Sequence, residues 1–181
     1  MSTFTFNTTP SVRMGAGLAQ KLGDIAGPVC GENILFVTDP GMVATGLVKK
    51  AVSVLAAAGL KVTVFDKVQA DPPEAIIQSA TEMARTASGV VGFGGGSSLD
   101  VAKLAALLAA SGQPLEDAFG IGNATGPRLP LVLVPTTSGT GSEVTPISIV
   151  TTGTSEKMGV VSPLILPDVA VLDPELTLGL P

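Results

Sequence analysis

The residues with the clearest chemical potential are three consecutive glycines followed by two serines. Residues 94–96 lie between an apolar run at 90–93 and a stretch that predicts a helix beginning at Ser97 or Ser98. Because glycines have no Cβ atoms, another molecule can lie directly on their backbone. The helix behind them points unpaired N–H groups and its positive dipole end at the same place. The turn therefore predicts a phosphate or pyrophosphate site.

The same turn also has an interpretation that needs no ligand. Ser97 and Asp100 fit the S-x-x-D capping box, in which a serine closes the start of its own helix. The P-loop motif G-x-x-x-x-G-K-[ST] is absent, and G-x-G-x-x-G is matched only loosely, with Ser97 in place of the last glycine. The turn alone leaves anion binding and helix capping both open.

Two further loops carry polar side chains directly after apolar runs. Asp39 follows the run 33–38, and its carboxylate suits paired ribose hydroxyls and repels a 2′-phosphate, which predicts NAD rather than NADP. Asp39 could instead be a turn residue, and the hydroxyl loop at 135–146 could bond its own backbone. That loop places its hydroxyls around two glycines: Thr136, Thr137, Ser138, Thr140, Ser142 and Thr145.

The elements between these loops predict the fold. Strands that are apolar throughout, separated by helical stretches of ten or more residues, indicate parallel strands buried on both faces. Ligands of such sheets bind beyond the carboxyl ends of the strands, so the three loops should meet at one edge. We expect an α/β fold, a Rossmann-like parallel sheet flanked by helices, as one domain over residues 1–181. The pattern also predicts a short edge strand at 3–7 and one helix over 42–58.

Composition narrows the function. A net charge of −5 argues against a nucleic-acid surface. The most apolar helix, 101–110, has about half of the roughly 20 residues that cross a bilayer, and the N-terminus is not a signal peptide. The single cysteine suits a reducing compartment, so we expect a cytoplasmic protein. The chain has no histidine, which excludes a Ser–His–Asp triad, a Cys–His pair and any His-containing metal site.

Two long motifs carry a family resemblance. GGGSSLDVAK at 94–103 and PTTSGTGSEVT at 135–145, with VTDPG around Asp39 and LPDVAVLDPELT at 166–177, closely resemble the N-terminal domain of the iron-containing, or group III, alcohol dehydrogenases. Dehydroquinate synthase and glycerol dehydrogenase share the first motif more distantly. The resemblance implies an NAD(H)-binding domain of a metal-dependent enzyme that passes hydride between an alcohol and a nicotinamide cofactor, homo-oligomeric at full length.

The resemblance also implies a set of cofactor contacts. The GGGS turn carries the pyrophosphate in that family, which matches Gly95, Gly96 and Ser97, and the residue matching Asp39 contacts the adenosine ribose. Asp71 stands where many members have Asn, so its carboxylate could contact the cofactor or only cap the following helix. The other matched residues are Asp100, Thr136, Thr137, Thr140, Thr145, Lys157 and, more weakly, Leu176.

The family's metal, usually iron, is held by one Asp and three His in a helical second domain. This sequence has no histidine and stops before that domain would begin, so we expect a truncated member with no catalytic or metal-binding residue. The chain alone should bind NAD(H) without oxidising alcohols. Two alternatives remain. One is a sugar-phosphate binding or isomerase domain that uses the Gly/Ser/Thr loops, and the other is a non-catalytic fragment that associates through exposed apolar surface.

Overall fold

The structure, a computed structural model, describes residues 3–153 and 156–179. The strands in this part of the chain are β1 (Ser11–Met14), β2 (Asn33–Val37), β3 (Lys61–Phe65), β4 (Gly89–Gly94), β5 (Gly120–Ile121), β6 (Leu131–Pro135), β7 (Ile147–Thr152), β8 (Glu156–Val161) and β9 (Val169–Leu172). The α-helices are α1 (Leu22–Cys30), α2 (Pro40–Ala44), α3 (Leu47–Ala57), α4 (Glu74–Ala84), α5 (Gly96–Ser111) and α6 (Leu115–Ala118). Short 3-10 helices span 18–21, 163–165 and 174–177.

Six strands form one parallel sheet in the order β1-β9-β6-β4-β2-β3. Every residue of β4 and β6 is buried because helices cover both faces of the sheet. Side chains of α4 and α5 fill the core on one face, and those of α1 and α3 fill it on the other. The predicted α/β fold, a Rossmann-like parallel sheet flanked by helices, is confirmed.

A second, smaller sheet of three strands lies on the α5 side of the central sheet. Its order is β5-β8-β7, with β7 and β8 antiparallel. Val150 and Val160 from this sheet are buried in the same core as α4 and α5. The N–H of Thr151 donates to the carbonyl of Pro72 at 3.0 Å, which ties the small sheet to the segment before α4.

Two elements differ from the sequence-based expectation. The single helix expected over 42–58 is interrupted at Gly46, whose φ of 78° is left-handed, so α2 and α3 are separate helices. The prediction of an edge strand at 3–7 is wrong, because residues 3–9 are irregular. The edge strand is β1, in which Ser11 pairs in parallel with Val169 of β9. No helix within the described ranges is long and apolar enough to cross a membrane.

The distance between α5 and the sheet depends on Gly92 in the middle of β4. A Cβ atom there would lie 2.7 Å from both the Ala102 Cβ of α5 and the Leu133 Cδ2 of β6. Real Cβ atoms do not approach other atoms this closely, so α5 can pack on β4 at this distance only above a glycine. The position of the α5 N-terminus is therefore fixed by close packing behind it.

We predict that Gly92→Ala destabilises the fold by about 2 kcal/mol, because a well-packed core resists an added methyl group. Urea unfolding followed by far-UV circular dichroism measures the loss. Gly15→Ala is the matched control, since its Cβ would meet nothing closer than the Leu18 side chain at 3.7 Å. Equal unfolding free energies for the two variants would contradict the role given to Gly92.

Candidate functional site

The site begins at a crevice that the strand order creates. The chain runs from β2 to β3 on one side and then crosses over to β4 on the other side of β2. Such a switch in strand order leaves a crevice at the carboxyl ends of the two strands, where open α/β sheets bind ligands. A cavity of about 260 Å³ lies here, and its lining includes Asp39 after β2 and Gly95, Gly96, Ser97 and Ser98 after β4.

The start of α5 presents its backbone to this crevice. Gly95 is the N-cap residue, and no side chain caps the helix. The first backbone hydrogen bond of the helix runs from the Leu99 N–H to the Gly95 carbonyl. The N–H groups of the first turn are therefore not used within the helix. The capping box between Ser97 and Asp100 does not form, because the Asp100 carboxylate bonds to Ser142 of the hydroxyl loop and to Ile149 of β7 instead.

The hydroxyl loop (residues 135–146) lies directly against the glycine turn. A Cβ atom on Gly95 would lie 3.5 Å from Thr137 Cγ2, and one on Gly96 would lie 3.3 Å from Thr140 Cβ. The Thr137 Oγ1 atom is buried without a hydrogen-bond partner in the described part of the chain. Buried hydroxyls are normally paired, so this one is a donor available to a ligand. The glycine turn and the two threonines fit a bound phosphate.

Asp39 is fixed by two donors from different elements. Its Oδ1 accepts from the Met42 N–H at 2.9 Å, which makes Asp39 the N-cap of α2. Its Oδ2 accepts from the Ser98 hydroxyl at 3.0 Å. Asp39 therefore has a local structural role, as the alternative interpretation of Asp39 as a turn residue allowed. This role does not exclude a ligand, because each carboxylate oxygen has a second lone pair.

Asp100 and Lys103, one turn apart on α5, hold the hydroxyl loop from behind. Asp100 accepts from the Ser142 hydroxyl and, at 3.0 Å, from the Ile149 N–H. The fully buried Lys103 Nζ donates to the carbonyls of Thr145 and Ile147 at 2.9 and 2.8 Å. Burial lowers the pKa of Lys103 from 10.5 to about 8, opposed by the charges of Asp100 and Glu143, and burial raises the pKa of Asp100.

The other expected contact residues lie away from the glycine turn or face other partners. Lys157 forms an exposed ion pair with Asp71 at 2.7 Å, and Asp71 has a φ of 51°. The buried Thr136 hydroxyl donates to the Met42 sulfur at 3.3 Å. Leu176 lines a separate cavity of about 230 Å³ beside α3. Residue types alone did not reveal these different surroundings.

Sequence reasoning missed the roles of Lys103 and Ser98. Lys103 is the single charge in an otherwise apolar run, 101–110, and an isolated charge on a buried helix is a signal for a paired internal group. No comparable signal exists for Ser98, whose partner is 59 residues away. Within the described residues, no group of three or more His, Cys, Asp or Glu side chains could hold a metal ion.

Comparison with known sequences identifies the family. The profile of the family described as iron-containing alcohol dehydrogenase matches residues 9–174. The sulfoacetaldehyde reductase of Bilophila wadsworthia is 38% identical over 181 residues, which cover 98% of this chain and 47% of that protein. The chain thus spans about half the length of the curated relatives it matches.

Solved structures agree with the sequence comparison. A 1,3-propanediol oxidoreductase superposes with a TM-score of 0.94 at 32% identity, covering 99% of this chain and 48% of that one. The sulfoacetaldehyde reductase of Bifidobacterium kashiwanohense, solved with NAD+, gives a TM-score of 0.89 at 32% identity, covering 100% and 49%.

The strand order and the glycine turn at its switch point define a Rossmann-like α/β domain. The chain belongs to the iron-containing alcohol dehydrogenase family. The resemblance seen in the two long motifs is confirmed.

We predict that stability rises with pH above about 8 because of Lys103. The unfolded chain keeps the Lys103 proton up to the ordinary pKa of 10.5, whereas the folded protein releases it near pH 8. Since the unfolded state then binds more protons, the free energy of unfolding increases with pH, and the contribution of Lys103 alone to this slope approaches about 1.4 kcal/mol per pH unit. Urea unfolding between pH 7 and pH 9 measures this slope.

Two lysine variants provide the comparison. Lys103→Met should remove the increase of the unfolding free energy with pH. Lys61→Met, at an exposed strand position, should retain this increase. The range stops at pH 9 because burial raises the pKa of Cys30 from 9.0 to about 12. This thiol starts to ionise in the unfolded chain below pH 9, and at pH 9 it offsets about half of the Lys103 contribution to the slope. A flat or falling profile in the wild-type chain between pH 8 and pH 9 would contradict the prediction.

Proposed function

We propose that this chain binds NAD(H) as the cofactor domain of a metal-dependent alcohol dehydrogenase. The observation that carries the proposal is the crevice between the ends of β2 and β4, which Asp39 and the glycine turn line together, with the hydroxyl loop packed against the same turn. A dinucleotide needs an anion site and a ribose acceptor side by side, and this crevice offers both. The NAD+ complex of the Bifidobacterium relative supports the choice of ligand.

Each part of the crevice has a task in this proposal. The pyrophosphate accepts hydrogen bonds from the N–H groups of Gly96 and Ser97, with the dipole of α5 favouring its charge. Thr137 and Thr140, which lie against the turn, donate their hydroxyls to phosphate or ribose oxygens. Asp39 accepts from the adenosine ribose hydroxyls. A 2′-phosphate would bring like charges together here, so NAD(H) is preferred over NADP(H).

We further propose supporting roles for the remaining matched residues. Asp100 acts by fixing the hydroxyl loop, and Thr145 is held in the same arrangement through its carbonyl. Asp71 and Lys157 would contact the cofactor as an ion pair. Thr136 and Leu176 would contribute from the sides of the site, Thr136 through its position after β6 and Leu176 through its apolar surface.

Bound NAD(H) supplies hydride transfer at the nicotinamide, and in this family a divalent metal, usually iron, polarises the alcohol oxygen. The 181 residues contain no histidine, whereas the family holds its metal with one Asp and three His. We propose that residues 1–181 form a single cofactor-binding domain and that the metal ligands come from outside it. The chain alone then binds NAD(H) and does not oxidise alcohols.

The cellular setting and the assembly are part of the same proposal. The one cysteine is buried and reduced, which fits a cytoplasmic protein. The edge strand β1 exposes Val12 and Met14, and an open edge of this kind fits pairing with another copy in the full-length homo-oligomer. The three named relatives carry the names of two different molecules, sulfoacetaldehyde and 1,3-propanediol, so the proposal leaves the alcohol open.

We predict that the purified chain binds NADH saturably and that Ser97→Asp weakens binding at least about tenfold, because a carboxylate at the turn repels the pyrophosphate. Nicotinamide fluorescence or calorimetry reports binding. The chain has no Trp, so energy transfer from Trp to the cofactor is not a usable signal.

Ser79→Asp is the matched control, since it adds the same charge at an exposed position of α4 and should leave NADH affinity unchanged. A folded chain that binds neither NADH nor NADPH would overturn the proposal. Tighter binding of glucose 6-phosphate than of NADH would favour a sugar-phosphate site. Alcohol oxidation by the pure chain, alone or with added iron, would show that no further domain is needed.

We also predict that Asp39→Asn reduces the ratio of the NADPH to the NADH dissociation constant about tenfold, because removing the charge of Asp39 relieves its repulsion of the 2′-phosphate. The Asn side-chain oxygen can still cap α2, so the fold is preserved. Parallel titrations with the two cofactors give the ratio of dissociation constants. Asp117→Asn, at an exposed position of α6, should keep the wild-type ratio, and an unchanged ratio in Asp39→Asn would exclude Asp39 as the discriminating residue.

A further inference from the structure

Ser98 is the second residue of the serine pair, and its side chain has a different environment from that of Ser97. It is 1% exposed, and its hydroxyl donates to Asp39 Oδ2 at 3.0 Å. The bond joins the first turn of α5 to the loop that follows β2. It therefore connects the two halves of the crevice.

The pair packs closely against the backbone of the glycine turn. Gly94 has a φ of 149°, and a Cβ atom there would lie 2.8 Å from Ser98 Oγ and 3.0 Å from Asp39 Oδ2. The Met42 N–H binds the other carboxylate oxygen at 2.9 Å. With a donor on each oxygen and backbone behind it, the carboxylate has one orientation available.

We propose that Ser98 is a positioning residue that sets the preference of this site for NAD(H) over NADP(H) by holding the Asp39 carboxylate in place. The inference rests on the proposed function. A fixed carboxylate keeps its unused lone pairs towards the ribose hydroxyls, and it cannot turn away from a 2′-phosphate. Without the Ser98 hydroxyl, only the Met42 N–H restrains the Asp39 carboxylate. The carboxylate could then rotate away from a 2′-phosphate, which would leave room for NADPH.

The first test compares Ser98→Ala with Ser97→Ala by titration of the 181-residue chain with NADH and with NADPH. Ser98→Ala should reduce the ratio of the NADPH to the NADH dissociation constant about fivefold, the effect of losing one hydrogen bond of typical net strength. Ser97 lies on the phosphate side of the turn, so Ser97→Ala should weaken both cofactors by similar factors and leave the ratio unchanged.

The second test asks whether Ser98 acts through Asp39. In an Asp39→Ala background, adding Ser98→Ala should not change the cofactor ratio, because the group that Ser98 positions is already absent. A purely structural role for Ser98 would affect both cofactors alike and in either background. Thermal unfolding of each variant without cofactor shows that the titrated proteins are folded.

If Ser98→Ala does not fold, Ser98→Cys replaces it, because cysteine keeps the side-chain shape but offers only a weak donor. The same drop in the ratio of the NADPH to the NADH dissociation constant is expected. A wild-type preference for NADH that persists in the folded Ser98 variant would overturn this inference and leave the proposed function intact. A folded wild-type chain that binds neither cofactor would overturn both.

Discussion

The burial of helix α5 is the constraint on which the candidate site depends. Every residue from Val101 to Leu108 is buried, with the central sheet, α4 and the small sheet around them. A helix enclosed on all sides cannot shift or rotate without disrupting the core. Its N-terminus therefore has a fixed position at the carboxyl edge of the sheet. The N–H groups that face the crevice are oriented before any ligand arrives, so binding does not have to order them.

The anion site relies on backbone and hydroxyl groups. Among the described residues, the crevice lining contains no lysine or arginine. Lys103 donates to two loop carbonyls, and Lys157 is paired with Asp71. A pyrophosphate here would be stabilised by N–H groups, hydroxyls and a helix dipole worth roughly half an elementary charge at the N-terminus. Such a site depends on geometry, which explains why it is built on the most enclosed helix of the chain.

The sequence was most informative where the signal is local. The apolar runs predicted the central strands because strands buried on both faces need apolar side chains throughout, and the three polar loops followed from where those strands end. The interruption of the helix at Gly46 was not predicted because it depends on a backbone angle. The edge strand β1 was not predicted because it depends on pairing with β9, more than 150 residues away. The contacts that join different elements of the site were missed for the same reason, since each of them links residues more than 40 positions apart.

The order of polar residues along the start of α5 follows from helix geometry. Ser97, Asp100 and Lys103 are spaced by three residues and share one stripe of the helix, whereas Ser98 is about 200° from Asp100 at 100° per residue. The stripe contacts the hydroxyl loop through Asp100 and Lys103, and Ser98 contacts the loop after β2. One short segment thus fixes two loops on opposite sides of the glycine turn. A shift of one residue in this spacing would rotate each group by 100° and would separate the anion site from the ribose acceptor beside it.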